Sequence, residues 1–384
     1  MSTTAAAGFI AAGVAAGLKS SGNRDVSLVV NQGPKFNAAG VFTSNRVKAA
    51  PVQWSQQLIA THGSARAVIL NSGGANACTG APGYADTQAT AAHVAASLSL
   101  APTDVLVCST GLIGVRLPLD KLLNGVDAAV AHLAADGGED AALAIMTTDS
   151  IPKTAVRQGS GYTIGGMAKG AGMLAPGLAT MLVVITTDAD VESDHLDRAL
   201  RDATSRSFDR IDSDGCMSTN DTVLVLANGA SGIVPPATEF DTLLAEVCAE
   251  LALKLIGDAE GATKDVRIHV SSAASESDAL EVARAIGRSN LLKCAIHGED
   301  PNWGRVLSAL GTTAAAFDPN EVDVAINGIW VCRDGMAGDD RNLVDMSGRE
   351  VTITVSLRAG DTEATLWTND LTAMYVHENS AYSS

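Results

Sequence analysis

Apolar positions fall in two rhythms along this chain. Short continuous runs, many rich in β-branched residues, predict strands buried on both faces: DVSLVV (25–30), AVIL (67–70), VLVCS (105–109), MLVVITT (181–187), TVLVLAN (222–228), VRIHVSS (266–272) and VTITVSL (351–357). In VDVAINGIWVC, Asn327-Gly328 sits between alternating apolar positions, the pattern of a tight hairpin. Helical spacing is predicted near 84–99, 118–134, 193–206, 238–257 and 277–288. The clearest is 238–257, where Phe240, Leu243, Leu244, Val247, Leu251 and Leu255 share one face. Ser275 with Asp278 reads as the capping pair that opens the next helix. Strands and helices alternate without strict βαβ order, which predicts mixed sheets covered by helices. There is no repeat and no low-complexity linker. The one internal boundary the pattern advertises is a glycine-rich stretch ahead of residue 180.

Composition narrows the function classes. Of 384 residues 46% are hydrophobic but only 4% aromatic, so the cores must be built from Ala, Val, Leu and Ile. With 43 acidic against 26 basic residues and a net charge of −17, nucleic acid and anionic membrane surfaces are not expected partners. Cys108, Cys248, Cys294 and Cys332 lie in apolar runs (VLVCST, EVCAEL, LLKCAI, IWVCRD), where a reduced cysteine behaves as a small hydrophobe. No C-x-x-C pair occurs, so neither a zinc nor a redox site is suggested, and no metal or cofactor is expected. The N-terminal MSTTAAAGFIAAGVAAGLK has no basic residue before its apolar part and is interrupted by three glycines. A signal peptide or membrane span is therefore not expected, and a cytoplasmic location is.

Candidate chemistry begins at KGAGMLAPGLATMLVVITTDA (169–189). Lys169–Gly177 is glycine, small residues and one proline, whereas Met181–Thr187 reads as a buried strand. Thr180, preceded by Ala179, stands at the junction. A threonine so placed is what a self-cleaving N-terminal nucleophile requires. Its hydroxyl attacks the preceding carbonyl, an N-to-O acyl shift follows, and water cleaves the ester. The freed α-amine then serves as base to the same hydroxyl. An α-amino group titrates at about 7.7–8.0, close to working pH. Elsewhere, VLVCSTGLIG runs a strand into Thr110-Gly111, where a hydroxyl and a backbone N–H could receive an oxyanion. IMTTD (145–149), STNDT (218–222) and DAEGATK (258–264), with Glu260 just beyond the best helix, each read alone as a turn or cap. NSGGANACTG (71–80) is glycine-rich but no G-K-[ST] follows, so it is not a phosphate loop.

Together, NSGGANACTG, STG (109–111), IMTTD, GGMAKGAGMLAPGLATML (165–182), STNDT, DAEGATK, DPNWGR (300–305) and ENSAYSS (378–384) resemble the ornithine acetyltransferases, the glutamate N-acetyltransferases of arginine biosynthesis. The resemblance spans essentially the whole chain. It implies self-cleavage between Ala179 and Thr180 into chains 1–179 and 180–384, with Thr180 as nucleophile and Thr110 and Gly111 as oxyanion hole. It implies substrate contacts from Thr147, Lys169, Thr180, Glu260, Asn379 and Ser384. Lys169 could then pair with a substrate carboxylate, and Glu260 could hold an ammonium or relay its proton. The implied fold is a mixed α/β helix/sheet/sheet/helix sandwich with a smaller C-terminal α/β lobe, the cleaved chains staying together as α2β2. The implied substrates are N-acetylornithine and glutamate, with acetyl-CoA a further donor in many members. Leu178 departs from the methionine more usual there, a swap that conserves volume. Other readings of the residues stay open: an N-terminal-nucleophile amidohydrolase or aminopeptidase, a self-processing amino-acid-binding protein, and a role in secondary metabolism instead of arginine supply.

Overall fold

The computed structural model describes residues 2–175 and 181–381, and these fall into two compact units. The first runs up to residue 209 and resumes over 216–255; the second combines 210–215 with the described chain over 256–381.

The first unit is a four-layer sandwich. Strands β1 (Phe9–Val14), β2 (Val26–Asn31), β4 (Ala67–Asn71) and β5 (Val105–Ser109) form one sheet in the order β1-β2-β4-β5, with β4 and β5 parallel. Strands β3 (Asn37–Phe42), β6 (Lys153–Gln158), β7 (Thr163–Lys169), β8 (Leu182–Thr187) and β9 (Thr222–Ala227) form the other, ordered β3-β9-β8-β7-β6, with β8 and β9 parallel. Alternation along each strand decides what it packs against. Val68, Leu70, Leu106 and Cys108 meet Met167, Leu182, Val184 and Leu224 in one core between the sheets. Ile69, Val105 and Val107 point the other way, onto Val94 of α2 (Gly80–Leu98) and Leu122 and Val126 of α3 (Leu119–Ala131). Helix α1 (Ala50–His62) carries Pro51 in its first turn and ties itself to β5 through Trp54 Nε1, which donates to Val105 O at 3.0 Å. The short α4 (Gly138–Ala144) closes beside β1. On the far face of the second sheet lie α5 (Ser193–Ser205) and α6 (Ala237–Gly257), whose Phe240, Leu244, Val247, Leu251 and Leu255 are buried as the spacing predicts, with Leu243 only half-buried at the edge of that face. Leu251 packs over Gly166 of β7.

In the second unit β10 (Asp265–Ala273), β11 (Asp323–Ile326), β12 (Ile329–Arg333), β13 (Met336–Ala337), β14 (Glu350–Ser356) and β15 (Thr362–Asn369) form a sheet ordered β13-β12-β11-β14-β10-β15. Helices α7 (Glu276–Gly287), α8 (Asn290–His297) and α9 (Trp303–Leu310) pack on it, and α10 (Ala373–Ala381) ends the described chain. Asn327 and Gly328 both adopt positive φ (46° and 85°), the backbone a two-residue hairpin demands. Ser275 Oγ accepts the Asp278 N–H at 3.1 Å, so the expected cap is present. The helix/sheet/sheet/helix sandwich and the smaller C-terminal α/β lobe are both realised.

Two sequence expectations change. Cys108, Cys248 and Cys332 are buried, but Cys294 is exposed, because α8 turns Leu292 and Lys293 inward instead. The glycine-rich stretch is no boundary between the compact units, since β7 and β8 on either side of it pair antiparallel within one sheet. Among the described residues no helix is long and apolar enough to cross a membrane.

Candidate active site

The floor of the site is the turn after β5. Thr110 uses both backbone groups structurally: its N–H donates to Asn71 O and its carbonyl accepts the Gly74 N–H, each at 3.0 Å. What remains for chemistry is its hydroxyl. The next residue, Gly111, has φ +130°, and a Cβ there would lie 2.8 Å from Gly74 N. Only glycine fits. The Gly111 N–H makes no hydrogen bond among the described residues, so a hydroxyl and an open amide donor stand side by side at the strand end. NSGGANACTG thus has a structural role that its sequence did not disclose. Its Gly73-Gly74 pair is squeezed between Leu18 and Gly111, and it forms the second wall of the turn.

Lys169 ends β7 and points the same way. It is 2% exposed, and its Nζ donates to Thr110 Oγ1 at 3.3 Å. Its register partner is Leu182, the first residue of β8. The following amide, Gly170 N–H, donates to Asp149 Oδ1 at 2.6 Å, while Asp149 Oδ2 accepts the Thr147 N–H at 2.9 Å. The carboxylate of IMTTD therefore joins the Thr147 turn to the end of β7. Burial works to raise its pKa, but the Lys169 and Lys153 charges outweigh this, with the Gly170 N–H assisting, and hold it at about 2. Lys153 Nζ lies 2.6 Å from Asp149 Oδ1, both side chains fully buried. Lys19 braces the same turn, its Nζ donating to Met146 O at 2.6 Å, and burial lowers its pKa. Lys153 is paired with Asp149, and Lys169 stands beside the Thr110 hydroxyl, a cation that can attract a carboxylate.

STNDT, which alone reads as a routine turn, is a clamp. Asn220 Nδ2 donates to Ala75 O (2.6 Å) and Ser109 O (2.8 Å), locking both walls of the Thr110 turn together. Asp221, completely buried, accepts the Met181 N–H on Oδ1 at 3.2 Å. These two were missed as site residues; a polar run, Ser218–Asp221, placed directly before a fully buried strand was the available signal.

In the second unit Glu260 Oε2 accepts from Asn379 Nδ2 at 2.9 Å. The turn carrying Glu260 is anchored at three points. Asp370 accepts the Thr263 and Lys264 N–H groups, the Thr263 hydroxyl and His297 Nδ1; Thr372 Oγ1 donates to Gly261 O; and Gly261 leaves no room for a Cβ against Tyr375 N. DPNWGR is structural, since Asn302 caps α9 by accepting the Arg305 N–H. Of the expected site residues, Thr110, Gly111 and Lys169 are brought together, with Thr147 linked to them through Asp149, and Glu260 and Asn379 form a separate pair. Ala179, Thr180 and Ser384 lie outside the described residues.

Residues 10–384 match the ArgJ family. The chain belongs to that family. Arginine biosynthesis bifunctional protein ArgJ of Streptomyces avermitilis is 65% identical over the full length of both chains, and that of Thermobifida fusca 62%. Among solved structures, ornithine acetyltransferase from Mycobacterium tuberculosis, in complex with ornithine, is 58% identical, with a TM-score of 0.45; it covers 47% of this chain and 96% of its own. ArgJ from Bacillus halodurans is 34% identical, with a TM-score of 0.48, covering 51% and 97%.

Proposed function

We propose that the chain is the glutamate N-acetyltransferase of arginine biosynthesis, moving acetyl from N2-acetyl-L-ornithine to L-glutamate through an acetyl-Thr180 intermediate. The observation that carries the mechanism is the Thr110–Gly111 turn, a hydroxyl and an N–H unengaged among the described residues, beside a buried lysine. Self-cleavage at Ala179–Thr180 frees the α-amine of Thr180. That amine takes the proton of the Thr180 hydroxyl as Oγ attacks the acetyl carbonyl. The oxyanion is received by Thr110 Oγ1–H and Gly111 N–H. The amide C–N bond then breaks, and ornithine departs carrying the proton. The glutamate amine attacks the acetyl ester in turn, releasing N-acetylglutamate and restoring Thr180. Lys169 pairs with the α-carboxylate common to both substrates, and Thr147 borders the same site. Glu260, Asn379 and Ser384 contact the substrate side chain, where a carboxylate partnered by an amide accepts either an ammonium or, once protonated or displaced, a second carboxylate.

The name of the relatives supports a second reaction at the same threonine, with acetyl-CoA as donor and N-acetylglutamate as product. An α2β2 assembly of the cleaved chains in the cytoplasm completes the reading. The test is the intact mass of the purified protein before and after addition of N-acetylornithine. Two chains, the larger one starting at Thr180 and gaining one acetyl group, are expected. Thr180→Ala should remain a single, inactive chain. Acetate released without transfer to glutamate would favour a hydrolase, and an enzyme that never acetylates would favour a binding protein.

A further inference from the structure

A carboxyl group with no exposed surface is costly to keep unless it is put to use. Asp221 is such a group. Among the described residues its Oδ2 has no hydrogen-bond partner. Burial pushes its pKa well above the usual carboxylate range, against the Met181 N–H, the Ser218 and Thr43 hydroxyls and the Lys169 charge, which favour ionisation. Its hydrogen bond from the Met181 N–H falls on a particular peptide. Met181 N–H donates to Asp221 Oδ1, and the Met181 carbonyl accepts the Thr222 N–H at 3.1 Å. Two consecutive residues at the head of β9 therefore grip both backbone groups of the residue that follows Thr180. Asp221 is itself fixed, its carbonyl accepting the Thr43 N–H at 3.0 Å.

We propose that Asp221 is the positioning residue for the Thr180 nucleophile, holding the Thr180–Met181 peptide plane through Oδ1. This rests on Thr180 being the nucleophile. Before cleavage Thr180 is tethered on both sides, by Ala179 and by Met181. After cleavage the Thr180–Met181 peptide is its only covalent tether, and that plane fixes the Thr180 carbonyl and Cα, the point from which its hydroxyl and free amine project. Asp221 therefore matters more to acetyl transfer than to self-cleavage. An asparagine keeps an acceptor oxygen at the same place without a charge, whereas alanine or leucine removes it.

The experiment compares Asp221→Asn, Asp221→Ala and Asp221→Leu for rate of self-processing and for kcat and KM with N-acetylornithine and glutamate. Alanine and leucine should lower kcat by about 10²-fold with little change in KM, as expected for a displaced nucleophile, and should slow processing less. Asparagine should restore both rates close to wild type. Leucine fills the volume alanine leaves, and whichever of the two folds decides; if neither does, an asparagine variant with kcat lowered as far as processing would overturn the proposal. So would a wild-type kcat in the alanine or leucine variant, or an asparagine variant as slow as alanine. Thr180→Ala separates the two claims. If it is unprocessed and a wild-type-like Asp221→Ala is found, only the positioning role falls; if Thr180→Ala is processed at the same bond, both fall.

Discussion

The Thr110–Lys169 region and the Glu260–Asn379 pair hold functional groups by opposite means. Around Thr110 the side-chain clamps are buried: Asn220 holds two walls and Asp149 joins the Thr147 turn to the end of β7, while glycines at 73, 74 and 111 let three backbones touch. Around Glu260 the turn is anchored firmly through Asp370, but Asn379, its partner, is exposed on a nine-residue helix. A group that must stabilise a transition state has to be in place before charge develops, so rigid burial serves it. A group that must accept an ammonium from one substrate and a carboxylate from the next is better served by a side chain free to move. On the proposed mechanism, the contrast would separate chemistry from discrimination.

The largest effects should come from the rigid region. Removing the Thr110 hydroxyl with alanine should slow acetyl transfer by roughly 10²–10³-fold with the melting temperature little changed, because the backbone bonds of Thr110 stay intact. Gly111→Ala should be at least as damaging, since its Cβ would push against Gly74 N and rotate the donating N–H away. Full activity in Thr110→Ala, measured by N-acetylglutamate formation, would reduce the turn to scaffold and erase the contrast.

A smaller, pH-dependent effect tests how the rigid region is stabilised. The Asp149 carboxyl is held at about 2 against an ordinary value of 3.8, so its ionised form stabilises the fold. A depressed folded pKa contributes fully above the unfolded value and is lost as pH falls toward the folded one. Asp149→Asn should therefore cost about 2 kcal/mol near pH 7, and its deficit should shrink as pH drops from 3.8 toward 2. Urea unfolding in the single-chain Thr180→Ala background is the measurement. A deficit independent of pH across that window would mean that the two lysines do not act on Asp149 as charges.

Legibility follows the same division. The runs AVIL and VLVCS announce β4 and β5 because strands buried on both faces leave no polar residue to blur the signal. Strand β7 went unread: TIGGMAK contains two glycines, required because Ser2 O presses on one face at Gly165 and Leu251 on the other at Gly166. Neither neighbour is visible locally. Lys293 hid in the same way, an apolar-run lysine that turns inward and satisfies itself on Ser213 O, Thr368 Oγ1 and Asn369 Oδ1. Thr110, Gly111 and Lys169 were legible as a set only through their resemblance to known enzymes. Asn220 and Asp221 escaped, because clamping distant loops is a tertiary property. Helix α10 has no buried residue, so no apolar period could mark it.

That helix carries the mildest prediction and the sharpest test of the comparison. Deleting residues 379–384 removes Asn379 and frees Glu260 Oε2 of its amide partner, but leaves untouched the Thr372 bond to Gly261 and the Asp370 bonds to Thr263 and Lys264. The turn should therefore stay folded, and self-cleavage, which needs only the Thr180 junction and the Thr110 turn, should proceed at the wild-type rate. Use of both substrates should weaken, chiefly as a several-fold rise in KM, since an exposed hydrogen bond of this kind contributes about 0.5–1.5 kcal/mol. Glu260→Gln should divide the substrates instead. It removes the anion that favours the ammonium of ornithine while keeping hydrogen-bond capacity for glutamate, so the KM for N-acetylornithine should rise more than that for glutamate. Equal changes for both substrates would place Glu260 in general structure, and a truncated enzyme with unchanged KM and kcat would show that discrimination resides elsewhere.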